Sequence, residues 1–281
     1  LTSIITLNQN LILEAKEKDK QKPSSIYSLH GIPILLKDNI NFNGLPTTAG
    51  SALLMNNISE DSFVVKKLKE SGAIVLGKTN LSEWAYYFCV GCPLGYSAIG
   101  GQTLNPYGRK IFESGGSSSG SGVAISANLS SVALGSETSG SILSPSSLNS
   151  IVGLKPTIGL VSRNGIVPIS STLDTSGPMT KNVIDNVIVF NSIMGFDDND
   201  SYSKERIDVN IKQITNSSLS GVRLGVFKEL LNEPLYKKAI AEMQEAGGII
   251  IEFEPPNINF SGFRKILDVD MKKELPEYLL K

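Results

Sequence analysis

The stretch ESGGSSSGSGVAISANLSSVALGSETSGSILSPSSLNS, residues 113–150, combines clusters of serine and glycine with short apolar segments. Between Ser114 and Ser150, 15 of 37 residues are serine and 6 are glycine. A flexible linker would share this composition but would lack apolar periodicity, whereas VAISA (123–127) and SVALG (131–135) are apolar segments between the Ser/Gly clusters. Small residues beside buried strands and helices allow backbones to approach closely. The stretch therefore predicts a folded, central part of the protein.

The segments before this stretch alternate between helical and strand patterns. Residues 4–18 predict an opening helix, and HGIPILLKDNI (30–40) predicts a buried strand with Lys37 at its end. SFVVKKLKE (62–70) predicts a helix with Asp61 as its N-cap, and AIVLGKTN (73–80) predicts a second buried strand. Such alternation is typical of an α/β protein.

The segments after it continue the alternation. A polar loop over 197–205 indicates a boundary, so we predict a core of residues 1–196 and a C-terminal βαβ-like part of the same domain over residues 197–281. The elements expected on either side are strands and tight loops over 153–170, a helix over 182–194, a strand over 222–227, a helix over 236–246 and a strand over 249–256.

Charge and hydropathy exclude several classes of partner. The 281 residues carry 26 Lys and Arg against 27 Asp and Glu, so the charge balance indicates neither a nucleic acid nor an anionic membrane surface. The apolar runs are too short to span a bilayer. We therefore expect a globular protein that binds neither nucleic acid nor a membrane.

His30 is the only histidine, and Cys89 and Cys92 are the only cysteines. A Ser–His–Asp enzyme or a multi-histidine zinc site would have to be built on one imidazole, so we expect His30 to make a local hydrogen bond. The two cysteines are expected to be packing thiols, because no second CxxC or CxxH accompanies them. With no secretory signal before Leu1, the expected compartment is the cytoplasm, and no metal is expected. Trp84 is expected in the core.

Lysine and serine are the residues most suited to catalysis. Lys37 follows three apolar residues and is carried toward the interior, where a lysine loses proton affinity and becomes a base near neutral pH. Serines set among glycines lie in tight turns that expose a hydroxyl and direct backbone N–H groups at one point. Ser plus Lys, with a second Ser between them, is a nucleophilic system that needs no histidine. Composition alone leaves more than a dozen serines as candidates.

The ordered motifs of this chain resemble the amidase signature family, in particular the bacterial amidases related to peptide amidase. The resemblance extends from the first predicted helix to about residue 255. The motifs that carry it are LHGIPILLKDNI (29–40), GKTNLSEWA (77–85), the pair GGSSSGSG (115–122) and GSETSGSILSPSS (135–147), GLKPTIGLVSRNGIVPIS (153–170) and DTSGPMT (174–180).

This resemblance implies an α/β fold with a mixed central β-sheet flanked by helices, and amide hydrolysis by a Ser–cis-Ser–Lys triad without a cofactor. Lys37 then corresponds to the basic lysine, Ser117 to the bridging serine on a cis peptide bond, and Ser141 to the nucleophile that forms the acyl-enzyme. The oxyanion hole would consist of the backbone N–H groups of Thr138, Ser139, Gly140 and Ser141.

The implied substrate is a small-molecule or peptide amide, and a homodimer is compatible with the resemblance. Two alternatives remain open. The first is a glutamine-hydrolysing amidotransferase component, which Leu143 disfavours because that branch has an arginine after the isoleucine that follows the nucleophile. The second is a non-catalytic homologue, because family members are much longer and this chain, which ends at Lys281, is expected to be truncated at its C-terminus.

Overall fold

The computed structural model describes residues 1–89, 91–215 and 218–280. Strands and helices alternate along most of this chain. The strands are β1 (Ile4–Leu7), β2 (Pro33–Lys37), β3 (Ile74–Thr79), β4 (Tyr96–Ser97), β5 (Gly101–Gln102), β6 (Val132–Glu137), β7 (Val152–Gly153), β8 (Thr175–Thr180), β9 (Arg223–Phe227) and β10 (Ile249–Phe253). The α-helices are α1 (Leu11–Asp19), α2 (Phe63–Glu70), α3 (Ser119–Ser126), α4 (Leu143–Leu148), α5 (Val183–Ile193), α6 (Ile211–Thr215), α7 (Pro234–Glu245) and α8 (Phe263–Leu279).

The chain divides into two compact units. The larger comprises Leu1–Val209 and Lys265–Lys281, and the smaller comprises Asn210–Arg264. In the smaller unit β9 and β10 pair in parallel, with Arg223 opposite Ile249, and α7 connects them. This is the βαβ arrangement that its apolar pattern predicts. The division of one amidase domain at residues 196 and 197 stays a prediction.

A six-stranded mixed sheet forms the centre of the larger unit, in the order β1-β3-β2-β6-β8-β7. The pairs β3–β2 and β2–β6 are parallel, whereas β1–β3, β6–β8 and β8–β7 are antiparallel. Parallel strands end at the same edge of a sheet, so the carboxyl ends of β2, β3 and β6 meet there. The predicted α/β class with a mixed sheet is confirmed.

Helices cover both faces of this sheet. On one face Ile34 and Leu36 of β2 pack in a cluster with residues of α2 and α5, and on the other Leu35 packs with Ala124 and Ile125 of α3. Adjacent residues of β2 therefore contact different helices, because successive side chains of a strand point to opposite faces. A strand buried on both sides explains the continuous apolar run that the sequence shows there.

Three predicted elements differ from the structure. The opening segment is a strand, β1, followed by α1, because residues 4–7 pair antiparallel with β3 and this pairing overrides their loose helical period. The cap of α2 is Ser62, since Asp61 accepts instead a hydrogen bond of 2.8 Å from the Asn43 N–H. Residues 153–170 contain only the end of β7 and are otherwise turns and loops.

Glycine in α3 allows this helix to touch neighbouring backbone. A Cβ on Gly120 would lie 2.3 Å from the carbonyl oxygen of Ser3 and 2.5 Å from the backbone nitrogen and oxygen of Asn80. No side chain fits at such distances, so packing requires glycine at position 120. Within the described part of the chain, no helix is long and apolar enough to cross a membrane.

We expect Gly120→Ala to lower the free energy of unfolding by about 2–3 kcal/mol or more, because backbone atoms would have to move to admit the methyl group. This expected loss of stability is opposite in sign to the effect of helix propensity, which favours alanine over glycine by about 1 kcal/mol. Urea denaturation followed by circular dichroism measures the change.

The matched control is Gly262→Ala, where a Cβ meets nothing within 4 Å. We expect it to change the free energy of unfolding by less than about 0.5 kcal/mol. Equal stability of the Gly120→Ala protein and the wild type would contradict the packing argument.

Candidate active site

Lys37 is the last residue of β2, and its side chain is completely buried. Its Nζ lies 2.8 Å from Ser117 Oγ, 2.9 Å from Ser136 Oγ and 3.1 Å from the Ser136 carbonyl oxygen. Ser136 belongs to β6, the parallel neighbour of β2, so the sheet itself brings the two residues together. The lysine and the first of the two predicted serines are thus in direct contact.

Burial lowers the pKa of Lys37 from 10.5 to about 7. The negative charges of Asp174 and Glu137 oppose this change, but no carboxylate of the described residues lies within ion-pair distance of the amine. Desolvation penalises the charged ammonium, so it is the dominant cause. An amine with this pKa is substantially unprotonated at neutral pH and can accept a proton.

Ser117 follows a cis peptide bond between Gly116 and Ser117, as the resemblance implies. The Ser117 side chain is buried, and its carbonyl oxygen accepts a hydrogen bond of 3.1 Å from the Ser82 N–H. A Cβ on Gly116 would lie 2.6 Å from Ser82 Oγ, and Gly115 has a φ of +67°. These contacts explain why two glycines precede the serine.

Ser141 lies in the turn between β6 and α4 and is partly exposed. The Ser118 N–H donates a hydrogen bond of 3.1 Å to the Ser141 carbonyl oxygen, which ties this turn to the start of α3. Among the hydrogen bonds of the described residues, none joins Ser117 Oγ to Ser141 Oγ. Catalytic hydrogen bonds are often long in unliganded enzymes and shorten when substrate binds.

The turn before α4 presents several free backbone donors. Across the described chain, the N–H groups of Ser139, Gly140 and Ser141 donate no hydrogen bond, and Gly140 has a φ of +86°. The next two N–H groups, of Ile142 and Leu143, are instead bound by the buried Glu137 carboxylate at 2.6 and 2.9 Å. Three consecutive free donors therefore lie in the predicted oxyanion turn.

Asp174 fixes the other end of this turn. Its Oδ1 accepts a hydrogen bond of 2.5 Å from Thr138 Oγ1, and its Oδ2 accepts bonds from the N–H groups of Ile169 and Ser170 at 2.8 and 2.9 Å. Burial raises the pKa of Asp174 to about 6 despite these hydrogen bonds. The carboxylate links the loop before β8 to the first residue of the turn.

Four residues of the site were absent from the predicted set, namely Asn39, Ser136, Glu137 and Asp174. Asn39 Nδ2 donates a hydrogen bond of 2.8 Å to Ser136 Oγ, which also binds Lys37. The sequence contains one indication of Asn39. Residues two apart at the end of a strand lie on the same side of the sheet, as Lys37 and Asn39 do. Nothing in the sequence singles out Ser136 among the neighbouring serines.

A second buried lysine, Lys78 of β3, lies near the same sheet edge but has different partners. Its Nζ is 3.3 Å from Asp38 Oδ1, and it also donates to the Ile40 carbonyl oxygen at 2.5 Å and to Thr47 Oγ1 at 2.8 Å. Burial lowers the pKa of Lys78, and the Asp38 carboxylate opposes this change. Lys78 thus forms an internal ion pair, in contrast to Lys37.

A cavity of about 420 Å³ adjoins these groups. Asn39, Ser136, Thr138 and Asp174 are among its lining residues, whereas Lys37, Ser117 and Ser141 are not. Ser136 therefore connects the cavity wall to the buried lysine. Within the described residues, no cluster of three or more His, Cys, Asp or Glu side chains forms a metal site.

The remaining candidates of the sequence lie outside this centre. Cys89 and Cys92 form a disulfide with their Cα atoms 5.7 Å apart, which corrects the prediction of packing thiols, since the CxxC spacing brings the two residues within disulfide range. His30 Nε2 hydrogen-bonds the Lys18 carbonyl oxygen at 2.9 Å. Trp84 is buried in a small apolar cluster, as predicted.

The sequence of this chain is similar to those of known amidases. The Amidase family model matches residues 2–267. A probable amidase of Arabidopsis thaliana is 41% identical over 297 aligned positions, which cover 99% of this chain and 57% of the relative. A glutamyl-tRNA(Gln) amidotransferase component of Thermoanaerobacter pseudethanolicus is 39% identical, over 93% of this chain and 54% of that protein.

The crystal structure of native peptide amidase from Stenotrophomonas maltophilia is also similar, with a TM-score of 0.91 and 42% identity. The match covers 100% of this chain and 60% of that one. The chain thus spans between half and two thirds of the length of each of these three relatives.

The lowered pKa of Lys37 predicts how the free energy of unfolding depends on pH. Between about pH 7 and 10.5 the unfolded chain binds a proton on this lysine that the folded chain does not, so stability rises with pH. Relative to Lys37→Met, the free energy of unfolding of the wild type should rise by about 1.4 kcal/mol per pH unit across this range. Urea denaturation at pH 7.5, 8.5 and 9.5 measures the slope.

The control is Lys66→Met, which removes an exposed lysine from α2. Its slope should equal that of the wild type. Parallel pH dependences for the wild type and Lys37→Met would mean that Lys37 keeps its ordinary affinity for protons in the folded chain.

Proposed function

The chain belongs to the amidase family, and from that premise we propose that it hydrolyses a carboxamide bond to a carboxylate and ammonia or an amine. In this proposal Ser141 is the nucleophile that forms an acyl-enzyme, Ser117 transfers protons, and Lys37 is the base. The observation that carries it is the 2.8 Å contact between the buried Lys37 amine and Ser117 Oγ, next to a cis peptide bond.

The hydrogen bonds of Lys37 suit a base. A neutral amine has two N–H donors and one lone pair, and the two oxygens of Ser136 can accept both N–H groups. The remaining tetrahedral position of Nζ then directs the lone pair toward Ser117 Oγ. A protonated amine has a third N–H, which can donate to Ser117 Oγ. The same oxygens therefore satisfy the amine in both charge states, and no heavy atom has to move.

Proton transfer follows the line from Ser141 through Ser117 to Lys37. As Ser141 Oγ attacks the carbonyl carbon, its proton passes to Ser117 Oγ, and the Ser117 proton passes to Lys37 Nζ. The tetrahedral intermediate collapses when Ser117 gives a proton to the leaving nitrogen and the C–N bond breaks, while Lys37 returns its proton to Ser117. Water then attacks the acyl-enzyme by the same route and releases the carboxylate.

The turn over 138–141 supplies the electrostatic part of the mechanism. The free N–H groups of Ser139, Gly140 and Ser141 are available to the oxygen of the tetrahedral intermediate, and we assign Thr138 to the same oxyanion hole. One such donor is typically worth about 3 kcal/mol of transition-state stabilisation. Glu137 supports the turn by binding the two N–H groups that follow it.

A small-molecule or peptide amide is the proposed substrate, in keeping with the similarity to a peptide amidase. The proposed steps use only side chains and backbone groups and need no cofactor. We further propose that neither nucleic acid nor a membrane is a partner, given the balanced charge of the chain. A cytoplasmic location and a homodimer remain part of the proposal, although the Cys89–Cys92 disulfide is a feature more common in oxidising compartments.

The alternative is the role of an amidotransferase component that releases ammonia from glutamine. The 39% identity to a component of a glutamyl-tRNA(Gln) amidotransferase favours it. Leu143 weighs against it, because the family resemblance implies an arginine at this position in that branch. A catalytically inactive homologue would conserve the fold but would not react at Ser141.

Substitution of the nucleophile is the direct experiment. We expect Ser141→Ala to lower kcat for hydrolysis of N-acetylglycyl-leucinamide by about 10³-fold or more, because no other group can form the acyl-enzyme. Ammonia release measures the rate, and intact-protein mass after incubation with a fluorophosphonate reports covalent labelling of Ser141.

The control is Ser147→Ala, which removes an exposed serine from α4 and should leave both readouts unchanged. Retained hydrolysis or labelling in a folded Ser141→Ala protein would refute the assignment. Absence of labelling in the folded wild type would favour the inactive homologue.

Substrate choice distinguishes the two enzymatic functions. We expect kcat/KM for N-acetylglycyl-leucinamide to exceed that for L-glutamine by at least about tenfold, since a site selects substrates by the groups it binds in the transition state. Ammonia release from both compounds, at equal enzyme concentration, measures the ratio. A preference for glutamine would instead support the amidotransferase role.

A further inference from the structure

Asn39 places a side-chain amide between the catalytic lysine and the cavity. It follows Lys37 by two residues, is 3% exposed, and lines the cavity of about 420 Å³. Its Nδ2 donates to Ser136 Oγ at 2.8 Å, and the same oxygen is 2.9 Å from Lys37 Nζ. One end of this amide is therefore fixed by the hydrogen-bond network of the base.

The other end of the amide, Oδ1, accepts no hydrogen bond from any residue that the structure describes. Four buried side-chain atoms of the described chain share this property, in Asn39, Ser126, Ser146 and Asn149, and only Asn39 lines the cavity. A buried acceptor without a donor destabilises the folded chain. Asn39 thus lines the cavity and has a buried acceptor that no described residue satisfies, and an occupant of the cavity that donates a hydrogen bond would pair it.

The proposed reaction indicates which group of the substrate donates a hydrogen bond to Asn39 Oδ1. The carbonyl oxygen of the substrate faces the free N–H groups of the 139–141 turn, so the scissile nitrogen has to face Ser117, which gives it a proton. Asn39 is connected to that same side through Ser136 and Lys37. A primary or secondary carboxamide carries an N–H on this nitrogen, whereas an ester has an oxygen there with no hydrogen.

We propose that Asn39 Oδ1 accepts a hydrogen bond from the N–H of the scissile carboxamide, and that Asn39 selects amides over esters. The inference rests on the proposed amidase function and adds a substrate contact to it. Holding one N–H of the leaving nitrogen turns the lone pair of that nitrogen toward Ser117. A site built to bind an N–H rejects the analogue that lacks it, because its own acceptor is then left unpaired.

The experiment compares an amide with its ester in the same acyl series. The probes are N-acetylglycyl-leucinamide and N-acetylglycyl-leucine methyl ester, and kcat/KM is measured for both from release of the common carboxylate. We expect Asn39→Ala to lower kcat/KM for the amide by about 10- to 100-fold more than for the ester, as loss of one buried hydrogen bond to the transition state predicts.

Two variants separate this role from a structural one. Asn41→Ala removes an asparagine that lines the same cavity but whose Oδ1 already accepts a hydrogen bond of 2.6 Å from Tyr278 Oη, so it should change both rates by one common factor. Ser136→Ala disturbs Lys37, the base for both substrates, and should also lower both rates equally. Equal losses for amide and ester in Asn39→Ala would overturn the proposal.

A binding measurement tests the role of Asn39 independently of whether the protein hydrolyses the amide. Calorimetry on the Ser141→Ala protein should give tighter binding of the amide than of the ester by about tenfold, and this difference should vanish when Asn39→Ala is added. If the wild type hydrolyses neither compound, the proposed function fails, and this calorimetric difference still decides the role of Asn39. Equal affinities for amide and ester would refute it.

Discussion

The structure depends on holding one amine, Lys37 Nζ, away from water without giving it a carboxylate as direct partner. A carboxylate would keep the amine charged, and a purely apolar site would leave its N–H groups unpaired. Oxygens of Ser117 and Ser136 satisfy the amine in either charge state. To supply these oxygens, the ends of β2 and β6 and the chain before α3 have to lie within hydrogen-bond distance of one another. The mixed sheet brings the two strand ends together.

The Ser/Gly stretch serves this convergence in two ways. Its glycines remove side-chain volume where segments touch, as at Gly120 against the backbone of Asn80 and at Gly116 against Ser82. Its serines supply short hydroxyls that reach across the small gaps, as Ser118 Oγ does to the Ser136 carbonyl oxygen at 3.1 Å. Larger polar residues could make the same hydrogen bonds only if the segments moved apart. The close approach of the segments therefore explains both the glycines and the serines of this stretch.

Sequence reasoning predicted the parts of the fold that local pattern controls. The buried run of β2, the helices α2 and α5 and the βαβ unit were predicted, whereas β1 was missed because its strand form comes from pairing with β3, about 70 residues away. Motifs located Lys37, Ser117 and Ser141, whose roles stay proposals. The unpaired acceptor of Asn39 could not be predicted in this way, because a hydrogen-bond acceptor is known to lack a donor only when all its neighbours in space are known.

The buried pair of Asp38 and Lys78 has a consequence for how this protein can change in evolution. Lys37 and Asn39 both contact Ser136, whereas Asp38 between them binds Lys78 on the adjacent strand. A shift of β2 by a single residue would exchange these sides, so that Asp38 would face Ser136 and Lys37 would face Lys78. Changes in length are therefore less compatible with this short segment than substitutions, since an insertion or deletion would separate Lys37 from Ser117 and Ser136.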